Sequence, residues 1–153
     1  MRGAFLVMSF TFASKTLKHY RQAVEELLFF NPGQFRVREG IVDSLEKFGH
    51  PRIEQTADTL SVRIENCEAQ TLFAYDGNRL NGSPIGVVIF LRTSPDEVDI
   101  MHIAVHPDYA LQGPHAGMGL GIIMIEKVRE IASRIVGVRR IVLQYRQEIV
   151  IHV

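Results

Sequence analysis

Ala116-Gly117-Met118-Gly119-Leu120-Gly121 sets a glycine at every second position, directly ahead of the run Ile122 to Val136, whose apolar residues recur at helical spacing. Upstream, Val98 to Val105 has the character of a buried strand and ends in His106-Pro107-Asp108-Tyr109. The order is therefore strand, long loop, glycine turn, helix. The first amides of a helix have no intrahelical acceptor, and the helix dipole adds to their preference for an anion. This stretch predicts a phosphate- or pyrophosphate-bearing ligand held where the helix begins.

Working outward, Gly137 breaks the helical pattern and Val138 to Tyr145 resumes β character. The result is a strand-loop-helix-strand unit whose two strands pair parallel through a right-handed crossover. On the other side, Thr93-Ser94-Pro95-Asp96 separates the key strand, Glu97 to Val105, from Ile85 to Leu91. The latter is nearly all apolar and suits a central strand covered on both faces. Asp76 to Pro84 is dense in turn formers and closes a hairpin with Thr71 to Tyr75. Thr59 to Ile64 alternates Leu60, Val62 and Ile64 with Ser61 and Arg63, as a half-exposed strand does.

Nearer the start, Ala4 to Phe12 reads as a first strand. Leu17, Tyr20, Val24, Leu27 and Leu28 mark one face of a helix capped by Ser14 or Thr16 and stopped at Asn31-Pro32-Gly33. Val37, Ile41, Leu45 and Phe48 mark a second helix over Val37 to Phe48, with Gly49 at its C-terminal position. Ile149 to Val153 is again β-prone, either a separate strand or a continuation of the one before. Its apolar edge predicts a covering second subunit, and so a homodimer.

Composition limits what these elements can belong to. A chain of 153 residues with 46% hydrophobic and 22% charged content predicts one globular domain over residues 1–153. Seventeen basic residues balance seventeen acidic ones. The broad positive field that drives nucleic-acid binding is absent, and no nucleic-acid partner is expected. A single cysteine, Cys67, excludes an intramolecular disulfide and a multi-cysteine zinc site, and is compatible with a reducing compartment. Gly3 to Ala13 has some features of a short secretory signal, but a strand feeding a helix explains the same residues. No run approaches the roughly 18 apolar residues of a membrane span. The expectation is a soluble, cytoplasmic protein with no membrane partner.

The sequence of elements resembles the GNAT superfamily of acetyl-coenzyme A dependent N-acyltransferases. Met101-His102-Ile103-Ala104-Val105-His106-Pro107-Asp108-Tyr109, Gly117-Met118-Gly119-Leu120-Gly121 and Met124-Ile125-Glu126-Lys127-Val128 are similar to the family's central acyl-coenzyme A motif. Tyr75-Asp76-Gly77 followed by Ile85-Gly86-Val87-Val88 is similar to its preceding hairpin. The resemblance implies an α/β (α+β) fold: a mixed, mostly antiparallel sheet flanked by helices, with a parallel strand-helix-strand cofactor unit. Two departures stand out. Ala116 occupies the position usually held by arginine or glutamine, with Ala110 to His115 as an insertion of about six residues ahead of it. Only eight residues follow Tyr145, so the C-terminal part is shorter than usual.

The resemblance also implies roles. Acetyl-coenzyme A would be the acyl donor, its pantetheine arm lying between two splayed strands along Ile103, Ala104 and Val105. Backbone amides across Ala116, Gly117, Met118, Gly119, Leu120 and Gly121 would hold its pyrophosphate. Asp99, six residues before Val105, falls where some family members carry a catalytic glutamate and is the first candidate for general base. His102 is the second. In a regular strand it points away from Asp99, so the two share a face only if a bulge intervenes. Tyr145 is the candidate acid for the departing thiolate.

Tyr109 either lines the site or belongs to the strand's exit turn. Cys67 reads as a small buried hydrophobe. His102, His106 and His115 straddle a strand end and a loop, so no metal is expected. There is no P-loop lysine after the glycines and no Gly-x-Ser-x-Gly elbow. The expected activity is acetyl transfer to a small-molecule or peptide primary amine. The alternative is a non-catalytic acyl-coenzyme A binding or dimerisation module.

Overall fold

Alternating and apolar runs pair into two sheets in the computed structural model, which describes residues 10–29, 45–77, 82–143 and 149–153. The strands are β1 (Phe10–Ala13), β2 (Thr16–Leu17), β3 (Pro51–Thr56), β4 (Thr59–Ile64), β5 (Gln70–Asp76), β6 (Gly86–Ser94), β7 (Glu97–Val105), β8 (Arg140–Leu143) and β9 (Ile149–His152). The α-helices are α1 (Arg21–Phe29) and α2 (Leu120–Ser133). A six-stranded sheet runs β1-β5-β6-β7-β8-β9, and a three-stranded sheet runs β2-β4-β3. In the large sheet only β7 and β8 pair parallel, with Glu97 opposite Arg140 and Ile100 opposite Leu143. That is the mixed, mostly antiparallel arrangement expected from the sequence, with α2 as the crossover.

The apolar run of β6 is continuous because both its faces are covered. Val88 and Phe90 pack with Ile100, Leu120, Met124 and Val128 beneath α2. Val87 and Ile89 join Val24, Leu27, Leu60, Val62, Met101 and Ala104 beneath α1 and the small sheet. Gly86 sets the approach of α2, since a Cβ there would lie 2.9 Å from the Met124 sulfur.

Local pairing overrides the expected helix start. Thr16 and Leu17 join β4 as strand β2, opposite Leu60 and Thr59. The Tyr75 hydroxyl donates to Thr16 Oγ1, and the Lys18 amide donates to the Asp58 carbonyl at 2.8 Å. A 3-10 turn over Lys18–Tyr20 then leads into α1 at Arg21. Leu17 is 48% exposed, so it is not on the buried face that helical spacing assigned to it. Strand β3 was invisible in the sequence because Arg52, Glu54, Gln55 and Thr56 are all exposed, leaving no apolar alternation to read.

Of the expected helix Val37 to Phe48, residues 45–48 are described and helical. Gly49 closes them at φ +99°, its amide donating to the Leu45 carbonyl at 2.9 Å. Of the expected first strand, residues 10–12 are described and lie in β1, which runs on to Ala13. Helix α2 begins two residues before Ile122 and ends at Ser133, leaving Val136 93% exposed. The C-terminal alternative resolves to a separate strand, β9, antiparallel to β8.

Candidate active site

Strand β7 positions the chemistry, and one irregularity in it matters most. Ile100 pairs with Phe90 and His102 with Ile89, so Met101 is an extra residue, a β-bulge. Asp99 pairs with Leu91. Because Leu91 and Ile89 are two apart on β6, the bulge brings Asp99 and His102 onto one face, the side of α1. The sequence condition for these two groups to act together is met.

Asp99 has no exposed surface. Its Oδ1 lies 2.9 Å from Thr93 Oγ1, and its Oδ2 lies 3.7 Å from Lys47 Nζ. Thr93 Oγ1 is also 3.2 Å from Glu97 Oε2, and Glu97 Oε1 accepts from Arg140 Nε at 2.8 Å. Arg140 reaches on to Asp96 Oδ2 at 2.8 Å, while the Ser94 hydroxyl donates to the other Asp96 oxygen. The hydrogen bond from Asp99, then those from Arg140 and Thr93, hold the Glu97 carboxyl below its ordinary range, against the opposing effect of its burial. Asp99 and Glu97 thus form a linked carboxyl pair, joined through Thr93 and tied to Arg140 by Glu97. Glu97 keeps 20% of its side chain exposed, so the pair communicates with solvent through that member.

His102 is buried, and burial lowers its pKa to about 4. It is a neutral imidazole at neutral pH, a poor proton acceptor beside the carboxyl pair.

At the other end of β7 the chain turns through a 3-10 turn, Pro107–Tyr109. Tyr109 is buried, its hydroxyl donating to Asp76 Oδ2 at 2.6 Å, with the rings of Phe10, His106 and His115 around it. It anchors the exit turn to the end of β5. The inserted segment folds back on that turn, the His115 amide donating to the Asp108 carbonyl at 2.7 Å. Gly113 is packed there, since a Cβ would come within 2.3 Å of the Pro107 carbonyl.

The next glycines serve the opposite purpose. Ala116–Met118 form a second 3-10 turn, and Gly119, at φ +66°, is the N-cap of α2. A Cβ on Gly117 or Gly119 would meet nothing within 4 Å, and one on Gly121 only a Val105 methyl at 3.9 Å. Among the described residues no backbone carbonyl accepts from the amides of Gly117, Leu120, Gly121 or Ile122. The turn is an open cradle of donors at a helix N-terminus, with the room and polarity a pyrophosphate requires. No lysine or arginine occurs between Arg92 and Lys127 in the sequence, so the local segment offers amides, the dipole and the imidazoles of His106 and His115.

Ile103, Ala104 and Val105 run from the bulge to this cradle, and their partners on β6 are Val88, Val87 and Gly86. The pairing of β7 with β8 is described from Glu97 to Ile100. The expected splay of the two strands and Tyr145 lie outside the described residues. A groove of about 640 Å³ between β1, α2 and Val153 includes neither Asp99 nor the glycine turn in its lining. Among the described residues no three His, Cys, Asp or Glu side chains are grouped to hold a metal, and no helix is long and apolar enough to cross a membrane.

The structure places the sequence candidates Asp99 and His102 on one face of β7 and the glycine turn at the start of α2, and it adds Lys47, Thr93 and Arg140, which sequence reasoning missed, as neighbours of the carboxyl pair. Arg140 had a usable signal: parallel pairing of the two crossover strands brings it opposite Glu97. Lys47 had none, because only tertiary packing of Phe48 brings its helical turn to β7.

Among solved structures, an acetyltransferase from Streptococcus agalactiae is similar over 88% of this chain and 71% of its own, with a TM-score of 0.50 and 15% sequence identity. A Desulfovibrio desulfuricans protein assigned to the GNAT acetyltransferase family is similar over 88% of this chain and 72% of its own, with a TM-score of 0.46 and 20% identity. No protein-family model and no curated protein matches the sequence. The first comparison shows the fold alone: this chain shares the overall arrangement of that Streptococcus agalactiae structure.

Proposed function

We propose that the protein is an N-acetyltransferase that passes an acetyl group from acetyl-coenzyme A directly to a primary amine. The observation that carries this reading is the open glycine cradle on the crossover unit of an acetyltransferase fold, one strand length from the buried Asp99 carboxyl. Acetyl-coenzyme A supplies an activated thioester, and the chain's residues do the rest. Amides across Ala116 to Gly121 hold the pyrophosphate, and the Ile103–Val105 backbone lines the path of the pantetheine arm. The bulge at Met101 turns Asp99 and His102 to one face. Asp99, the general base, accepts the proton that an acceptor ammonium must lose before its nitrogen can attack. Tyr145 is the proposed acid for the thiolate.

The test is thermal melting with and without acetyl-coenzyme A, followed by thiol release with a panel of amines. At a hundred times its dissociation constant the donor should add about 2.7 kcal/mol of stability. Thiol release should follow with at least one amine. No shift at saturating donor overturns the reading.

A second reading is a non-catalytic acyl-coenzyme A binding module. The complete burial of Asp99 and its contacts with Thr93 and Lys47 favour it. A melting shift with no thiol release across the panel is its signature.

A further inference from the structure

We propose that Lys47 is itself an acceptor: the protein acetylates its own Lys47, with Asp99 as the base. The inference rests on the acetyl-transfer reading and deepens it. Asp99 has no surface open to solvent, so an amine arriving from outside must displace whatever covers it. The Lys47 ammonium is already there, 3.7 Å from Asp99 Oδ2. Its placement is set by packing. Phe48, next in sequence, is buried in the same cluster as Met101 and Ala104 of β7. Yet the Lys47 side chain is 54% exposed, so it keeps the freedom to swing along β7 toward a bound thioester.

The other lysines differ. The chain has four: Lys15, Lys18, Lys47 and Lys127. Lys18 pairs with Asp58, whose side chain is 82% exposed, and Lys127 with Glu130, which is 49% exposed. Those carboxylates are solvated, and such pairs are weak. Lys47 alone among the described ion pairs sets an ammonium against a carboxyl with no exposure. Among the described residues, Glu97 and, beyond it, Arg140 and Asp96 are further charged groups of that cluster.

The step balances. One ammonium proton passes from Nζ to the Asp99 carboxylate, whose linked neighbour Glu97 reaches solvent. The neutral Nζ attacks the thioester carbonyl carbon, an N–C bond forms and the C–S bond breaks. Coenzyme A leaves as the thiolate and is protonated, and the amide nitrogen sheds its second proton to water. The product lacks the positive charge beside Asp99.

Purified protein incubated with acetyl-coenzyme A is digested, and acetyl occupancy at each of the four lysines is read by mass spectrometry, with melting temperature measured alongside. Acetyl groups should accumulate on Lys47 well ahead of Lys15, Lys18 and Lys127. Asp99→Asn should slow this about a hundredfold or more, without slowing the other three. Lys47→Arg, which keeps the charge against Asp99, controls for folding: its melting temperature should stay near that of the parent, and only the Lys47 signal should vanish. Lys47 acetylation equal to that of heat-unfolded protein, or unchanged in Asp99→Asn, overturns the proposal by making it non-enzymatic chemistry. A donor-induced melting shift with thiol release to external amines but an unmodified Lys47 overturns it while leaving the acetyltransferase reading intact. No shift and no modification overturns both.

Discussion

The two ends of β7 solve opposite problems. At its C-terminal end the glycine turn keeps side chains out: Gly117 and Gly119 face open space, and the polar groups on offer are backbone amides. At its N-terminal end, side chains fill everything. Asp99 is enclosed, and Thr93, Lys47, Glu97 and Arg140 take up its neighbourhood through contacts of 2.8–3.7 Å. An open amide site tolerates a large, flexible, multiply charged ligand. An enclosed carboxyl such as Asp99 suits contact with one well-placed cation, here Lys47. Under the proposed function, donor binding falls to one end and proton transfer to the other, and the bulge at Met101 lies between them.

The largest expected effect tests the closed end. Asp99→Asn should lower the turnover number by about a hundred- to ten-thousandfold while leaving the affinity for acetyl-coenzyme A unchanged, as steady-state kinetics and calorimetry would show. Equal losses in both quantities would mean that the two ends are not separate.

Next comes His102. Its folded pKa of about 4 lies below the ordinary 6.5, so between those values the unfolded chain binds a proton that the folded chain refuses. Stability therefore falls as pH drops from 6.5 toward 4, by about 3 kcal/mol in total, and is level below that. Urea unfolding across this range measures it, and His102→Leu should flatten the slope.

A comparison of glycines is the third way to break the contrast. Gly113→Ala drives a Cβ into the backbone of the exit turn and should cost about 2 kcal/mol, roughly 4–8 °C in Tm. Gly117→Val meets no protein atom near its Cβ and should leave Tm nearly unchanged while weakening the donor. If Gly117→Val melts as early as Gly113→Ala, the cradle is a packed turn and not a binding surface.

The smallest effect belongs to Arg140. Because Glu97 is held below its ordinary 4.5, its contribution to stability is present above that value and lost as pH falls through the lowered one. In Arg140→Gln this acid-side loss should shrink, seen as a smaller change in urea midpoint between neutral and acidic solution.

The same contrast explains how much was legible in the sequence. The open end could be read as a glycine turn opening a helix because its signal is local: alternating glycines before a helix are contiguous. Strands β4 and β7 were read at their observed bounds for a similar reason, alternation in one and a Pro-Asp turn and a Pro exit bounding the other. The closed end could be read only in part. Asp99 was visible as a carboxylate on an apolar strand, but its partners come from a helical turn, from β6 and from β8, brought together by pairing and packing. The start of α1 was misread because helical spacing from Leu17 competes with the pairing of Thr16 and Leu17 against β4. The bulge that unites Asp99 and His102 has no glycine or proline to announce it, being set by the register of β6 against β7.

Isothermal titration of acetyl-coenzyme A into the parent protein and into Gly117→Val tests the central claim most directly. Saturable one-site binding to the parent, weakened by about tenfold or more in the variant at equal Tm, which is about 1.4 kcal/mol, is the expected result. Equal affinity for both, or no heat of binding with either, would contradict the assignment of the glycine turn as the donor cradle.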